Sequence, residues 1–333
     1  MKNYNIAIVG ATGLVGRKLI ELLFEYNIPI NNLYLYASSK SANKTIEIDN
    51  KQYIIMELNE ENIKEDIDFV IASAGSDVSQ KYASKFLEKG AYYIDNSSAF
   101  RMNEDVPLIV PSVNFKKIKN AKLISNPNCS TIQSVIPLKI LDDLYSIKRI
   151  VYNTYQAVSG SGQKGILDYE RTRSGLEPAF YPYSINDNCI PHIDNFLDNG
   201  YTKEEMKMIN ETKKILDKDI LITATCVRIP IKNSHAVSIN VELEKEFDIE
   251  EIKRKFKKSS DIVLYDDPIN NIYPLEQITN DQDKVYVGRI RKDESLKNTL
   301  NLWCVADNIR IGAASNAIQI LKCIIAGKSE GFK

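Results

Sequence analysis

The sequence predicts an α/β protein of two domains, a doubly wound parallel sheet first and an α+β domain with a mixed sheet after it. Two observations carry that expectation. In the first part, β-rich runs alternate with helical patterns: NIAIV, then GLVGRKLIELLFEY with apolar residues at helical spacing, then NLYLYAS, DFVIASA, VSQKYASKFLEKG and AYYIDNS. Beyond Cys129 longer strands take over, IKRIVYNTYQAVS, ILITATCVRIPI and HAVSINVELE, with helices between them, as in a mixed sheet. The boundary is therefore expected near Cys129, with 1–128 as the first domain and 129–308 as the second. The last helix, roughly from Arg310 to Ala326, is amphipathic and no strand follows it. The segment 309–333 is thus expected to return and pack on the first domain.

Composition narrows the class of partner. A chain of 333 residues, 44% of them hydrophobic, can fill two cores. Its formal net charge of -1 supplies no long-range field to gather nucleic acid or an anionic membrane, so a small-molecule site is expected instead. The first apolar run, IAIVGA from Ile6, is too short and too soon broken by glycine for a signal peptide, and no later stretch approaches a membrane span, which predicts a cytoplasmic protein. The five cysteines, Cys129, Cys189, Cys226, Cys304 and Cys323, are odd in number, far apart and form no CxxC pair. That spacing argues against a disulfide framework and a zinc site, and no metal is expected. There is no internal repeat and no low-complexity segment.

The first motif with chemistry is GATGLVG, Gly10 to Gly16, which follows the strand NIAIV and opens a helix. Gly10 allows a tight strand-to-helix turn, Gly13 lets backbone amides approach a phosphate, and Gly16 permits close helix packing, while the helix start supplies partial positive charge. The alternative is a tight turn with no ligand. With a ligand, the first domain is a Rossmann-type dinucleotide-binding domain, held through Gly10, Thr12, Gly13, Leu14, Val15 and Gly16, with Ser73 as a further contact. After the next strand, where an NAD site usually places an acid for the ribose 2'-hydroxyl, the chain reads ASSKSANK. Ser38, Lys40 and Ser41 offer hydroxyls and a cation, which suit a 2'-phosphate and hence NADP; an ordinary solvated turn is the other reading.

The second motif is SNPNCSTIQ. Pro127 and Asn128 precede Cys129, and STIQSVIPLKILDDL follows with helical periodicity, so the thiol falls at a first helical turn where the dipole favours thiolate. A free thiol of pKa ~8.5 is a few per cent thiolate at neutral pH, and lowering it by ~1.5 raises that fraction roughly tenfold. By residue type alone a cysteine is more often an inert core residue. Only two histidines, His192 and His235, can serve as a base. Pro137, inside the helix, removes one backbone hydrogen bond and is expected to kink it.

These residues resemble the aspartate-β-semialdehyde dehydrogenase family from GATGLVG to the final helix. The resemblance rests on GATGLVG, ASSKSANK, NSSAFR, SNPNCSTIQ, TYQAVSGSG, EEMK, CVRIPIKNSH and DNIRIGAASNAIQI, in that order. It implies Cys129 as nucleophile, His235 as general acid/base and Gln156 orienting the acyl group. It further implies Arg228 on the substrate α-carboxylate, where a guanidinium offers a bidentate fork, Glu204 on the substrate ammonium, Arg101 and Lys207 on phosphate, and Asn128 beside the substrate. Ser159, Gly160 and Asn316 are implied on the cofactor side. His192, in IPHID, reads as structural or as support for the site. On spacing alone Glu204 and Lys207 read as a solvated i,i+3 pair. The chain departs from the family pattern at Asn43, at GSDVS from Gly75, and at Ala236 and Val237.

The implied reaction is reversible, NADP-dependent reductive dephosphorylation of L-aspartyl-4-phosphate to L-aspartate 4-semialdehyde, with inorganic phosphate as the other product, in the pathway to lysine, threonine and methionine. The resemblance also implies a homodimer or homotetramer whose second domain is both catalytic and dimerising. Two rivals stand beside it: a related acyl-phosphate reductase of the N-acetylglutamyl phosphate type, and a non-catalytic NADP-binding sensor that has no need of Cys129.

Overall fold

The structure, a computed structural model, describes residues 2–48 and 51–330. The chain divides into two compact units, Met1–Pro127 with Ala313–Lys333, and Asn128–Gly312. These limits differ slightly from 128/129 and 308/309. Asn128 groups with the second unit because it caps a helix there, and residues 309–312 do so because Gly312 lies against Cys129.

The first unit is built on seven strands, β1 (Tyr4–Val9), β2 (Ile30–Ala37), β3 (Thr45–Ile48), β4 (Lys51–Glu57), β5 (Phe69–Ala72), β6 (Tyr92–Asp95) and β7 (Leu123–Ser125), in the order β3-β4-β2-β1-β5-β6-β7. Every pairing is parallel except the edge hairpin β3–β4. Helices α1 (Leu14–Glu25), α2 (Ser76–Glu88) and the short α3 (Pro111–Asn114) connect them. The central strands lose alternation because helices cover both faces: Ile6, Ala7, Ile8 and Val9 are all buried, as are Phe69 to Ala72. From β1 the chain crosses to β2 on one side, and β5 lies on the other. The carboxyl ends of β1 and β5 therefore flank the switch point, where open α/β sheets bind ligands. The carboxyl-terminal helix, Ser315–Glu330, joins this unit, and its Ala317, Ile318, Leu321 and Ile324 share one core with Ile8, Leu19 and Leu23.

The second unit carries a six-stranded mixed sheet, β8 (Ile147–Gln156), β9 (Leu221–Arg228), β10 (His235–Leu243), β11 (Ile262–Leu264), β12 (Val285–Lys292) and β13 (Thr299–Ala306), ordered β11-β12-β13-β10-β8-β9. The β8–β9 and β11–β12 pairs are parallel and the rest antiparallel. Its helices are α4 (Cys129–Tyr145), α5 (Gly162–Arg173), α6 (Lys203–Leu216), α7 (Ile249–Lys258) and α8 (Glu276–Thr279); a π-helical turn, Arg310–Ala314, leads into the last helix, α9. Helix α4 continues through Pro137 to Tyr145. Helix α6 starts at a capping box, with Thr202 Oγ1 accepting from the Glu205 N–H and the Glu205 carboxylate accepting from the Thr202 N–H. Among the described residues no helix is long and apolar enough to cross a membrane, and no group of three metal-ligating side chains occurs.

Candidate functional site

Cys129 is the first residue of α4, half-buried, with Asn128 as the cap. The Asn128 side-chain oxygen accepts from the Ser130 N–H at 2.9 Å and the Thr131 N–H at 3.3 Å. This leaves the thiol beside the positive end of a 17-residue helix whose first turn holds no acid, a setting that favours thiolate. The cap is itself held: its amide nitrogen donates to Glu204 Oε1 at 2.8 Å, and its backbone N–H donates to Glu211 Oε2 at 2.7 Å. On the other side, Gly312 in the π-helical turn sits so close that a methyl group there would lie 2.8 Å from Cys129 Cβ.

Arg228 and His235 are linked through one residue, Ala157. Strand β8 lies between β9 and β10, so its end, Gln156–Ala157, separates the end of β9 from the start of β10. The Arg228 Nη1 donates to the Ala157 carbonyl at 2.6 Å, and the Ala157 N–H donates to His235 Nδ1 at 2.9 Å. The neutral imidazole must then carry its proton on Nε2, because Nδ1 is an acceptor. Burial, and next the Arg228 charge, push His235 down to about 3, against the pull of Glu204. His235 Nε2 is buried without a hydrogen-bond partner among the described residues. A methyl group on Gly160 would stand 2.8 Å from Arg228 Nη1 and 3.1 Å from His235 Nε2. Gly160 is thus the floor of a space bounded by a guanidinium and an imidazole.

Glu204 is only 5% exposed, which excludes the solvated-pair reading from spacing. Oε1 accepts from Asn128 and, at 3.2 Å, from Gln156 Nε2, while Oε2 accepts from Lys207 Nζ at 3.1 Å. Burial acts to raise the Glu204 carboxyl, but the Lys207 ammonium and these hydrogen bonds outweigh it and hold the group below the usual range. Lys207 also donates to Asp194 at 2.8 Å, and the two carboxylates overcome its own burial and raise it. In the second unit, side-chain hydrogen bonds thus join Asn128, Gln156, Glu204 and Lys207; Arg228 and His235 bond to Ala157, the residue after Gln156, and Cys129 follows Asn128 in the chain. His192, half-buried, stacks on Phe196 at 4.3 Å between ring centres, on a segment whose Ile190 pairs with Arg228 and whose Asp194 bonds Lys207.

The first unit holds the other expected residues. Gly10 has φ +87°, and a side chain there would meet the Ser73 carbonyl at 2.5 Å, which only glycine avoids. A Cβ on Gly16 would fall 2.1 Å from the Gly10 carbonyl, so the strand and helix approach by backbone alone. Gly13 caps α1, which has no side-chain cap and no acid in its first turn. The amides of Leu14, Val15 and Gly16 thus start an uncapped helix at the switch point, with Thr12 in the turn before it. This cradle fits a dinucleotide pyrophosphate. Ser38 precedes a 3-10 turn, Ser39–Ser41, directly after β2; Ser38 and Lys40 are exposed and Ser41 half-buried. Asn43 adopts φ +63°, a left-handed conformation that asparagine tolerates and glycine shares, and Gly75 caps α2 at φ +93°.

Arg101 and Asn316 meet at Asn126. The Arg101 Nε donates to the Asn126 carbonyl at 2.9 Å and its Nη2 to the Asn96 carbonyl at 2.8 Å. The Asn316 amide donates to Asn126 Oδ1 at 2.6 Å and to the Ile109 carbonyl at 2.9 Å. Reading the sequence missed Glu211, Ala157, Asn126 and Gly312 as neighbours of the site. Glu211 lies on α6 seven residues after Glu204, a helical repeat that puts both acids on one face and was the available signal; Ala157 and Gly312 act through backbone or steric room, and Asn126 through its carbonyl and a lone side-chain amide, none of which leaves a periodic pattern.

The chain matches two domain families, "Semialdehyde dehydrogenase, NAD binding domain" over residues 5–121 and "Semialdehyde dehydrogenase, dimerisation domain" over residues 138–311. It is 46% identical to an aspartate-semialdehyde dehydrogenase of Campylobacter jejuni over 331 residues, covering 96% of each chain. It is likewise 46% identical to one of Aquifex aeolicus, covering 97% of this chain and 98% of that one. A crystal structure of aspartate semialdehyde dehydrogenase II from Vibrio cholerae complexed with ASA superposes with a TM-score of 0.92 at 38% identity, over 98% of this chain and 99% of that one. One from Candida albicans with NADP gives 0.78 at 25% identity, over 98% and 99%.

Proposed function

Because this chain belongs to the aspartate-semialdehyde dehydrogenase family, we propose that it interconverts L-aspartyl-4-phosphate and L-aspartate 4-semialdehyde, with NADP as the redox partner and inorganic phosphate released or consumed. The reaction serves lysine, threonine and methionine synthesis. The observation that carries the reading is the connected set in the second unit, a capped-helix thiol together with a buried guanidinium, carboxylate and imidazole. The dimerisation domain at 138–311 supports a homodimer or homotetramer, working in the cytoplasm.

Binding uses two charges of opposite sign. Arg228 has five N–H donors, of which the Ala157 carbonyl takes one, and a planar fork suits the substrate α-carboxylate. Glu204, kept ionised by Lys207, receives the substrate ammonium, and Gln156 orients the acyl group. Lys207 and Arg101 bind the phosphate. The dinucleotide is held by Gly10 to Gly16 and Ser73, with Ser159, Gly160 and Asn316 on its nicotinamide side, and Ser38, Lys40 and Ser41 read its 2'-phosphate in preference to NAD.

In the biosynthetic direction the Cys129 thiolate attacks the acyl carbon; a C–S bond forms, the C–O bond to phosphate breaks, and phosphate leaves with that electron pair. When bound, the reduced dinucleotide supplies the hydride that turns the thioester into a thiohemiacetal. The thiohemiacetal then collapses to aldehyde and regenerates the thiol. His235 holds or moves the proton at Nε2, the atom that the Ala157 N–H leaves as the proton carrier. It therefore begins as a donor toward the oxygen where charge develops. A substrate carboxylate on Arg228 offsets one of the two causes that depress His235, so the ring accepts a proton more readily once substrate is in place.

The test is a phosphate-dependent NADPH absorbance assay with aspartate semialdehyde, run beside NAD and beside the N-acetylglutamate analogue. Turnover with aspartate semialdehyde and NADP is expected. No activity with either dinucleotide would sink the proposal, and turnover of the analogue alone, which has no free ammonium for Glu204, would move it to the acetylated substrate.

A further inference from the structure

The residue immediately before His235 is strained. Ser234 is fully buried and has φ +70°, a left-handed conformation that costs a non-glycine residue free energy and is kept only when its surroundings enforce it. Two contacts hold it: the Ser234 Oγ donates to Asn280 Oδ1 at 3.0 Å, and its backbone is held from the segment DNIRIGAASN by the second residue of that segment. Asn308, 5% exposed, accepts the Ser234 N–H on Oδ1 at 2.9 Å. The same side chain exchanges hydrogen bonds with Ser159 Oγ, at 3.2 Å to Oδ1 and 3.0 Å from Nδ2. Ser159 adjoins Gly160, the floor under Arg228 and His235. One amide thus ties the chain entering His235 to the turn beneath its Nε2.

We infer that Asn308 is a positioning residue, which sets the place of His235 Nε2 by holding Ser234 in its left-handed conformation against the Ser159–Gly160 turn. Without it, a buried N–H loses its acceptor and the strain at Ser234 is released by rotation into the ordinary φ range. That rotation displaces the imidazole, whose Nδ1 is aligned with the Ala157 N–H. Arg228 and Glu204 are held independently, by the Ala157 carbonyl and by Lys207 with Asn128 and Gln156. Loss of Asn308 should therefore fall on turnover and spare substrate binding.

The inference rests on His235 being the acid/base, so His235→Asn is measured in parallel. With the full-length protein and NADP, kcat per alkylatable Cys129 is compared for wild type, Asn308→Ala, Asn308→Asp and His235→Asn. The expected result is a fall in kcat of tenfold or more for Asn308→Ala with KM for aspartate semialdehyde within about threefold, and recovery of most of that loss in Asn308→Asp, which keeps the acceptor. Because the aspartate also places a carboxylate beside Ser234, the acid limb of its kcat profile should move to higher pH; the other charges facing His235, Arg228 from β9 and Glu204 from α6, are unchanged. If Asn308→Ala does not fold, that displaced acid limb in Asn308→Asp carries the test. Wild-type kcat in Asn308→Ala, a rise in KM with kcat preserved, or an unmoved limb in Asn308→Asp overturns the inference provided His235→Asn is inactive. An active His235→Asn overturns the acid/base reading on which it stands.

Discussion

Replacing His235 with asparagine should make the second unit less sensitive to acid by about 2 kcal/mol on going from pH 7.5 to pH 5. In the folded protein burial and Arg228 push the imidazole down to about 3, against an ordinary 6.5. The unfolded chain takes up a proton below 6.5 while the folded chain stays neutral, so the contribution of the neutral ring is complete above pH 6.5 and is lost as pH falls toward 3. At about pH 5 the unfolded form is about 1.5 pH units into that window, and at about 1.36 kcal/mol per unit the loss is about 2 kcal/mol. The depressed carboxyls of Glu204 and Asp194 start from ordinary values of 4.5 and 3.8, so they add little at pH 5. Asparagine has no proton to gain, and its side-chain oxygen can accept the Ala157 N–H in place of Nδ1. The chain's single tryptophan, Trp303, lies on β13 opposite Ser238 of β10 and reports this unit directly. Urea unfolding followed by its fluorescence should show a wild-type midpoint that falls by roughly 1 M more than that of the variant between the two pH values. Equal falls would refute the claim that His235 is buried and neutral.

Four further outcomes follow from the same geometry. Cys129→Ser should lose nearly all turnover in the NADPH assay, because an unactivated hydroxyl is a far poorer nucleophile at neutral pH; retained turnover removes the role. Arg228→Lys should fold normally and lose roughly 2 to 4 kcal/mol in kcat/KM with iodoacetamide alkylation of Cys129 unchanged, since lysine keeps the charge but not the fork; a near-normal kcat/KM takes Arg228 out of the site. Gly160→Ala puts a methyl group 2.8 Å from Arg228 Nη1 and 3.1 Å from His235 Nε2, so kcat/KM should fall by tenfold or more while thermal stability changes little, and an unaffected kcat/KM would show that neither side chain is held in place there. Lys40→Glu should raise KM for NADP far more than KM for NAD; equal changes point to a fold defect.

Features whose cause is local can be read from the residues alone. GATGLVG announces its turn because the positive φ of Gly10 and the backbone contact at Gly16 depend on residues a few positions apart. The place of Cys129 is legible for the same reason, since Asn128 caps its own helix. Ile6–Val9 of β1 and Phe69–Ala72 of β5 show as unbroken apolar runs because both faces are covered there. Whatever depends on strand order or on which helical face is buried is set only in the folded chain. From spacing alone Glu204 and Lys207 are a solvated pair; packing of α6 turns Glu204 inward, to Asn128 and Gln156. Arg228 and His235 lie seven residues apart across a turn, and they converge because β8 is inserted between their strands and its end offers the Ala157 carbonyl to one and the Ala157 N–H to the other. Asn308 and Gly312 lie far along the chain from the residues they touch, Ser234 and Cys129, and an amide's hydrogen bond or a missing methyl group has no periodicity to read. Their roles arise only when non-local packing closes the loop between them, and that closure is a property of the assembled sheet.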